Sequence, residues 1–278
     1  MPLNFDLGGK TYDSELHEIS AESITAYAAA SRIDNPKHDA GEHQVPSVIY
    51  PVVIGLPLMS VVSTDPELNL ENPLMIVHGE EEIVHYRSMK PGESLIFTPS
   101  VESVEDKGAG AIYVARVTGA TPDGEAVNDQ YATVFVRGAG SGSERPSSEK
   151  PPPPVRGDQV VSFTKHVDEE MPAEYAVASG DHNPIHTDAD VATAVGLPGV
   201  INQGLGTLSI VSGGLVDDLA EGDPARISRI HVRFTDMVIP GSDLATAVFA
   251  SAGDEFVFET TRPDGSVVMV GTVEVKQG

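Results

Sequence analysis

Cysteine is absent from the 278 residues, which excludes disulfides, thiolate metal sites and cysteine nucleophiles together. Nothing in the chain therefore argues for an oxidising compartment. Basic residues are scarce: 17 Lys and Arg stand against 42 Asp and Glu, a net charge of −25. A field of that sign repels nucleic acid and anionic membrane surfaces, so both are poor partners. It also makes each remaining cation important to any anionic ligand. Long apolar runs are lacking too. The longest, Val45–Val62, is interrupted by Pro46, Pro51, Gly55 and Pro57, whereas a membrane-spanning helix needs about 20 apolar residues in a row. The opening MPLNFDLGGKTYD has neither the basic nor the apolar part of a signal peptide. The expectation is a soluble, cytoplasmic protein whose 40% apolar content supports a real core.

What is present is organised by an internal repeat. Tyr27-Ala-Ala-Ala-Ser31-Arg-Ile-Asp-Asn35-Pro36-Lys-His38 aligns without a gap on Tyr175-Ala-Val-Ala-Ser179-Gly-Asp-His-Asn183-Pro184-Ile-His186, at an offset of 148. Farther along, Pro91-Gly92-Glu-Ser-Leu95 aligns on Pro240-Gly241-Ser-Asp-Leu244 at an offset of 149. Two matches in one order at nearly one offset argue for a duplicated unit. Between the copies, Gly138–Ser143 is small and polar, and Glu144–Gly157 carries four consecutive prolines. That composition reads as a flexible piece followed by a stiff spacer. The predicted organisation is 1–137, a Gly/Ser/Pro-rich linker over 138–157, and 158–278.

Each copy repeats one order of elements. In the second, a short strand near Val160–Phe163 precedes a helix capped by Asp168, with Glu169 and Glu170 at its N-terminus. Gly180 and Pro184 stop that helix. An apolar, small-residue segment over Gly199–Leu219 reads as a buried helix, because it has no polar face. Strands follow near Ile227–Val238, Leu244–Ala250, Glu255–Thr260 and Ser266–Val275, separated by turns at Pro240-Gly241 and Pro263-Asp264-Gly265. The first copy gives strands near Glu82–Arg87, Ser94–Val104, Ala111–Thr118 and Ala126–Arg137, with Pro51 and Pro57 interrupting its long apolar segment. A buried helix wrapped by an antiparallel sheet satisfies both patterns, and two such units joined edge to edge hide open strand edges. The class is α+β.

The chemistry concentrates in Ser179-Gly180-Asp181-His182-Asn183-Pro184-Ile185-His186. A Pro-bearing turn between Asp181 and His186 can aim both side chains at one point, with Asn183 bonding the loop locally. A carboxylate and an imidazole converging on one water form an acid/base pair. Asp-x-Asn-Pro is also a good turn sequence in its own right, so spacing alone leaves a purely structural role open. The repeat adds a second observation: the first copy keeps Asn35, Pro36 and His38 but has Ile33 where the second has Asp181. One polar pair and one apolar substitute point to a single working site.

The segment from Tyr175 to Ala189 resembles the signature of the MaoC, or hydratase 2, family, which runs aromatic, small residues, Ser-Gly-Asp-x-Asn-Pro-aliphatic-His, acidic, Ala. The first copy is similar to the degenerate N-terminal repeat of two-repeat members through His78-Gly79, Asp106-Lys107-Gly108-Ala-Gly110 and the strand Asn128–Val136. The resemblance implies a double hotdog fold, with an acyl/CoA-binding first repeat and a catalytic second one. It implies reversible syn addition of water to a trans-2-enoyl-CoA, an (R)-specific hydratase or dehydratase. Asp181 and His186 would hold the water, and the Gly204 amide would bind the thioester oxygen at a helix N-terminus. His78, Gly79, Lys107, His182, Asn183, Pro184, Ile185 and Phe234 would contact substrate. Arg233 and Arg87 are further candidates for the coenzyme A phosphates by location. The acyl tail would run toward Ile33, Val52, Ile54 and Leu56. No cofactor or metal is implied, since coenzyme A belongs to the substrate, and the partner expected is a second copy in a homodimer. The sequence departs from the family in having Gln203 where a histidine is common, which leaves the contact at 203 open.

Other readings share parts of this pattern. A dehydratase acting on an acyl carrier protein would want a basic docking face, against the net charge of −25. A hotdog thioesterase or a non-enzymatic acyl-thioester binder would not need the Ser179–His186 loop.

Overall fold

A computed structural model describes residues 1–72, 75–142 and 155–277. Its strands are β1 (Glu15–Glu18), β2 (Ile76–His85), β3 (Ser94–Asp106), β4 (Gly110–Ala120), β5 (Ala126–Arg137), β6 (Gln159–Val167), β7 (Ile227–Phe234), β8 (Ser242–Ala250), β9 (Glu255–Thr261) and β10 (Val267–Val275). The helices of more than one turn are α1 (Ala21–Ala30), α2 (Val52–Thr64), α3 (Met171–Ser179), α4 (Ala189–Ala194) and α5 (Gly204–Leu219). All strands join one antiparallel sheet in the order β1-β3-β4-β5-β2-β7-β10-β9-β8-β6. The two halves of that order mirror each other. This is the double hotdog that the family resemblance implies.

The strands form where apolar residues alternate. On β4, Ala111, Tyr113, Ala115 and Val117 are buried and the residues between them are not. Their buried faces support the helices: α2 packs on β3, β4 and β5, and α5 on β6 and β7. α5 is buried without interruption from Leu205 to Val216, as a helix without a polar face must be. Small residues on α5 admit close neighbours. The Phe163 ring occupies the space a side chain on Gly214 would need, and Ile33 lies against Gly213. α2 is shorter and keeps Pro57 inside it.

The halves meet where β2 pairs with β7. Glu82 faces His231 there, and those positions are equivalent at the repeat offset of 149. Arg229 bonds Glu82 at 2.7 Å and His231 bonds Glu80 at 3.3 Å across this seam. Below it, the hydroxyls of Tyr27 and Tyr175 bond at 2.9 Å, and Tyr27 also bonds Ser209 at 2.7 Å. Two pairs of equivalent residues meeting each other mark a pseudo-two-fold axis through the seam.

Several expectations shift. Of the Gly138–Ser143 stretch, read as flexible, Ser143 lies outside the described residues and Gly138–Gly142 is docked on the β3–β4 hairpin. Gly138 N donates to Ala109 O, Gly142 N donates to Gly108 O, and Ala139 is buried. Glycines permit that approach, since a side chain on Gly140 would collide with the Gly108 carbonyl. The polyproline run Pro151–Pro154 lies outside the described residues. α3 begins at Met171, after Glu169 and Glu170, although Asp168 still accepts from the Met171 amide at 2.8 Å. α5 starts at Gly204, the helix N-terminus that the resemblance implies, so Gly199–Gln203 of the apolar segment lie ahead of the helix, and α4 has no counterpart among the expected elements.

Candidate active site

The Ser179–His186 loop begins where α3 ends. Gly180 closes the helix with φ +79, a left-handed conformation that costs glycine little. Ser179 turns back, its hydroxyl donating to Tyr175 O at 2.7 Å and accepting from Asp181 N at 3.2 Å. Asp181 accepts from Asn183 N at 3.2 Å, and Asn183 from Ile185 N at 3.4 Å. These local bonds, with Pro184 opening a single 3-10 turn, fix the two side chains that matter.

His186 is buried at 8% exposure, and its Nδ1 lies 2.8 Å from Ile201 O. A carbonyl only accepts, so Nδ1 carries the proton and Nε2 of a neutral ring keeps its lone pair. Nε2 stands 3.8 Å from the Asp181 carboxylate. That gap is long for a direct hydrogen bond and suits one water bound by both groups.

The carbonyl that orients His186 belongs to the segment leading into α5. Three residues on, Gly204 opens α5, whose N-terminus has no side-chain cap among the described residues. Its uncommitted N–H groups and the helix dipole suit an oxygen gaining negative charge. Gln203 is fully buried and donates to Pro172 O at 2.9 Å. Its side chain therefore joins α5 to α3, which answers the question left by the departure at 203.

The Phe234 ring covers Gly204, lying 3.2 Å from where a Cβ would stand. His78 meets that ring edge-on, with centroids 5.3 Å apart. Gly79 forms the bulge that breaks the β2–β5 register between His78 and Glu80. Gly204, Phe234, His78 and Gly79 thus gather at one place, with residues from both halves. His182, Asn183 and Pro184 are exposed on the loop, and Ile185 is half-buried, its carbonyl accepting from Ile201 N.

The cations separate into two groups. Lys107, in the β3–β4 turn, pairs with Glu105. The charges of Lys107 and Arg233 both reach Glu80, whose carboxyl is held below its usual range chiefly by its bond to His231. Arg87 is elsewhere, tied to Glu93 and Glu125 beyond the other end of β2. Location alone had grouped it with Lys107; the strand's direction separates them.

A cleft of about 290 Å³ opens between β1, α1 and α2, lined by Tyr50, Val53, Ile54, Pro57, Leu58 and Val61 with a polar edge. Neither Asp181 nor His186 lines it. Pro57 connects the two places, since it lies 3.8 Å from where a Cβ on Gly180 would stand. Of the four residues expected along the acyl tail, only Ile54 lines this cleft; Ile33 packs on Gly213 instead. Sequence reasoning missed Pro57, the Ile201 carbonyl and Glu81, a buried carboxyl bonded to His78. Only Glu81 left a trace, as an inward-facing acid in the strand run His78-Gly-Glu-Glu-Glu-Ile-Val. Among the described residues, no group of three His, Asp or Glu could hold a metal ion, and no helix is long and apolar enough to cross a membrane.

Two family models match the chain: a MaoC-like domain over residues 153–268 and an MFE-2 hydratase 2 N-terminal domain over 43–138. An Arabidopsis thaliana protein named enoyl-CoA hydratase 2, peroxisomal, is 30% identical over 216 residues, covering 74% of this chain and 70% of its own. The Mycobacterium tuberculosis 3-hydroxyacyl-thioester dehydratase Y is 32% identical over 230 residues, 74% of this chain and 75% of its own. A crystal structure of a MaoC-like dehydratase from Phytophthora capsici superposes with a TM-score of 0.81 at 23% identity, over 99% of this chain and 98% of that one. A Mycobacterium tuberculosis protein described as a double hotdog superposes at 0.62 with 13% identity, over 100% and 98%.

Proposed function

We infer the activity from one premise: the chain belongs to the MaoC-like hydratase 2 family. It is an (R)-specific 2-enoyl-CoA hydratase, a hydro-lyase that adds water to a 2-enoyl-CoA thioester and, in reverse, dehydrates the 3-hydroxyacyl-CoA. The observation that carries the site assignment is the 3.8 Å gap between Asp181 and His186 Nε2, beside the segment that opens α5. A water bridging that gap is held on one face of the substrate. In hydration its oxygen bonds to C3, one member of the pair takes a proton from it, and the pair hands that proton on to C2 on the same face. The C2–C3 π electrons shift toward the thioester, whose oxygen gains charge as C3 is attacked, then return to C2 to take that proton. The Gly204 amide is the donor for that oxygen, and an interaction gained mainly in the transition state lowers the barrier.

In this reading His78, Gly79, Phe234 and residues 182–185 contact the substrate, and the first half covers the site. Lys107 and Arg233 face the coenzyme A phosphates, which need cations on a surface of net charge −25. The acyl tail leaves toward Pro57 and the cleft behind it. A homodimer in the cytoplasm, without a further cofactor, completes the proposal; sedimentation and cell fractionation test those parts.

The deciding experiment is hydration of a panel of 2-enoyl-CoAs followed at the thioester absorbance, with product chirality determined. The expected product is the (R)-3-hydroxyacyl-CoA, and an (S) product or no turnover across the panel overturns the reading. Lys107→Glu should raise KM more than it lowers kcat, with the effect shrinking at high salt.

A further inference from the structure

Glu81 is a buried acid that the reaction as described does not use. It is 2% exposed on β2, bonds His78 Nε2 through Oε2 at 3.0 Å, and leaves Oε1 buried without a hydrogen-bond partner among the described residues. Such a group costs stability, because a desolvated oxygen without a donor forfeits its bond to water. Leucine at an inward-facing strand position would avoid that cost, and the equivalent inward positions Ile83, Ile230 and Val232 are all aliphatic. The bulge at Gly79 is what turns His78 and Glu81, three residues apart, onto the same face.

His78 is the only described group that bonds this carboxyl. The ring stands between Glu81 and Phe234, and Phe234 covers Gly204. With Nε2 engaged, Nδ1 is the one polar atom the ring can offer to a ligand. Burial disfavours net charge on the pair, and the carboxyl is pushed above its usual range by that burial. A neutral pair holds two protons, shared either as carboxylic acid with neutral imidazole or as carboxylate with imidazolium. In both arrangements Nδ1 carries a proton, so the ring presents a donor.

We propose that Glu81 is a positioning residue: it locks His78 with Nδ1–H directed at a carbonyl oxygen of the bound acyl-CoA, beside the Gly204 amide. The acceptor class is an amide or thioester carbonyl, and the interaction is one of substrate binding. This rests on the hydratase reading above. The consequence is a residue kept for function at a cost in stability.

The test compares Glu81→Leu, Glu81→Gln and His78→Ala. Glu81→Leu should melt no lower than the parent yet raise KM for a 2-enoyl-CoA about tenfold, the size expected for one hydrogen bond, with kcat nearly kept. Glu81→Gln can still donate to Nε2 and should restore KM to within about threefold. Adding Glu81→Leu to His78→Ala should change KM no further, since the acid acts through the ring. A parent-like KM in Glu81→Leu, or additive effects in the double variant, overturns the proposal. The ¹⁵N signals of His78 in the unmodified protein give an answer that needs no turnover. A protonated Nδ1 supports the assignment, and a bare Nδ1 sinks it even if hydration is observed. Absence of hydration in the parent would count against the hydratase reading and leave the ring signals to judge the Glu81–His78 pair.

Discussion

Two loops end in histidines held alike. His38 Nδ1 lies 2.7 Å from Val45 O, and His186 Nδ1 lies 2.8 Å from Ile201 O. Each loop leaves its helix through a left-handed residue, Arg32 at φ 57 and Gly180 at φ 79. The likeness stops at the next position, where the first loop has Ile33 and the second Asp181. Ile33 lies on Gly213 of α5, and Asn35 is buried with its amide donating to Gly222 O at 3.0 Å. Lys37 pairs with Asp223 at 2.9 Å. The first loop is therefore sealed by the end of α5 and the turn after it. The second loop faces α2, which is 13 residues long against 16 for α5, and Asn183 there stays exposed. One backbone design is thus closed over in one half and left exposed in the other, and the two loops differ at the position held by Ile33 and Asp181.

The sharpest way to break this comparison is to disarm the histidines separately. Asp181→Ala and His186→Ala should each lower kcat by about 10²–10⁴-fold with the fold retained. His38→Ala should keep most activity, and a comparable loss there would show that the two loops are not divided in this way. A smaller effect is expected from Ile33→Asp, which restores the polar pair in the sealed loop. It should create no second site, so titration with a tight product analogue still gives one equivalent per chain. A carboxylate placed against α5 should cost about 1–3 kcal/mol in a denaturant melt; a stoichiometry of two would overturn the division.

The smallest effect concerns Arg32, which accepts the strained conformation that glycine occupies in the other loop. Its guanidinium bonds Asp168 at 2.5 and 2.8 Å and Glu174 at 2.7 Å, joining the halves. The Asp168 carboxyl is held below its usual range, first by that bond to Arg32. Since the folded value is depressed, the pair's contribution is full above the unfolded carboxylate pKa, near about 3.9, and fades as pH falls through the folded value. Arg32→Ala should thus destabilise by no more than about 1 kcal/mol near neutral pH, because the pair is partly exposed. The difference from the parent should narrow in melts near pH 3.

The repeat and the loop motif were legible because they are local: Tyr, Ser, Asn, Pro and His recur in register over twelve residues. The sheet's strands other than β1 were legible by alternation, and β5 was placed with its observed bounds. The start of β2 was not, since Ile76–Gly79 contains the bulge that breaks the alternating pattern. What sequence could not supply was which distant surfaces meet. Ile33 against Gly213 and Pro57 beside Gly180 are contacts between halves, and no spacing encodes them. The role of Gln203 was hidden for the same reason, as its partner is a carbonyl 31 residues away.

The β2–β7 seam has a consequence for how such a protein can change. In a symmetric pair of identical chains, any substitution appears at both copies of a site, so an advantage at one is tied to its cost at the other. Here the two copies meet about their axis within a single chain. Each position is inherited independently of its counterpart. Isoleucine could replace the acid in one loop while aspartate remained in the other, and the freed half could take up binding. Asymmetry is what covalent linkage makes available, and the seam preserves the geometry of a dimer while releasing its halves from having to match.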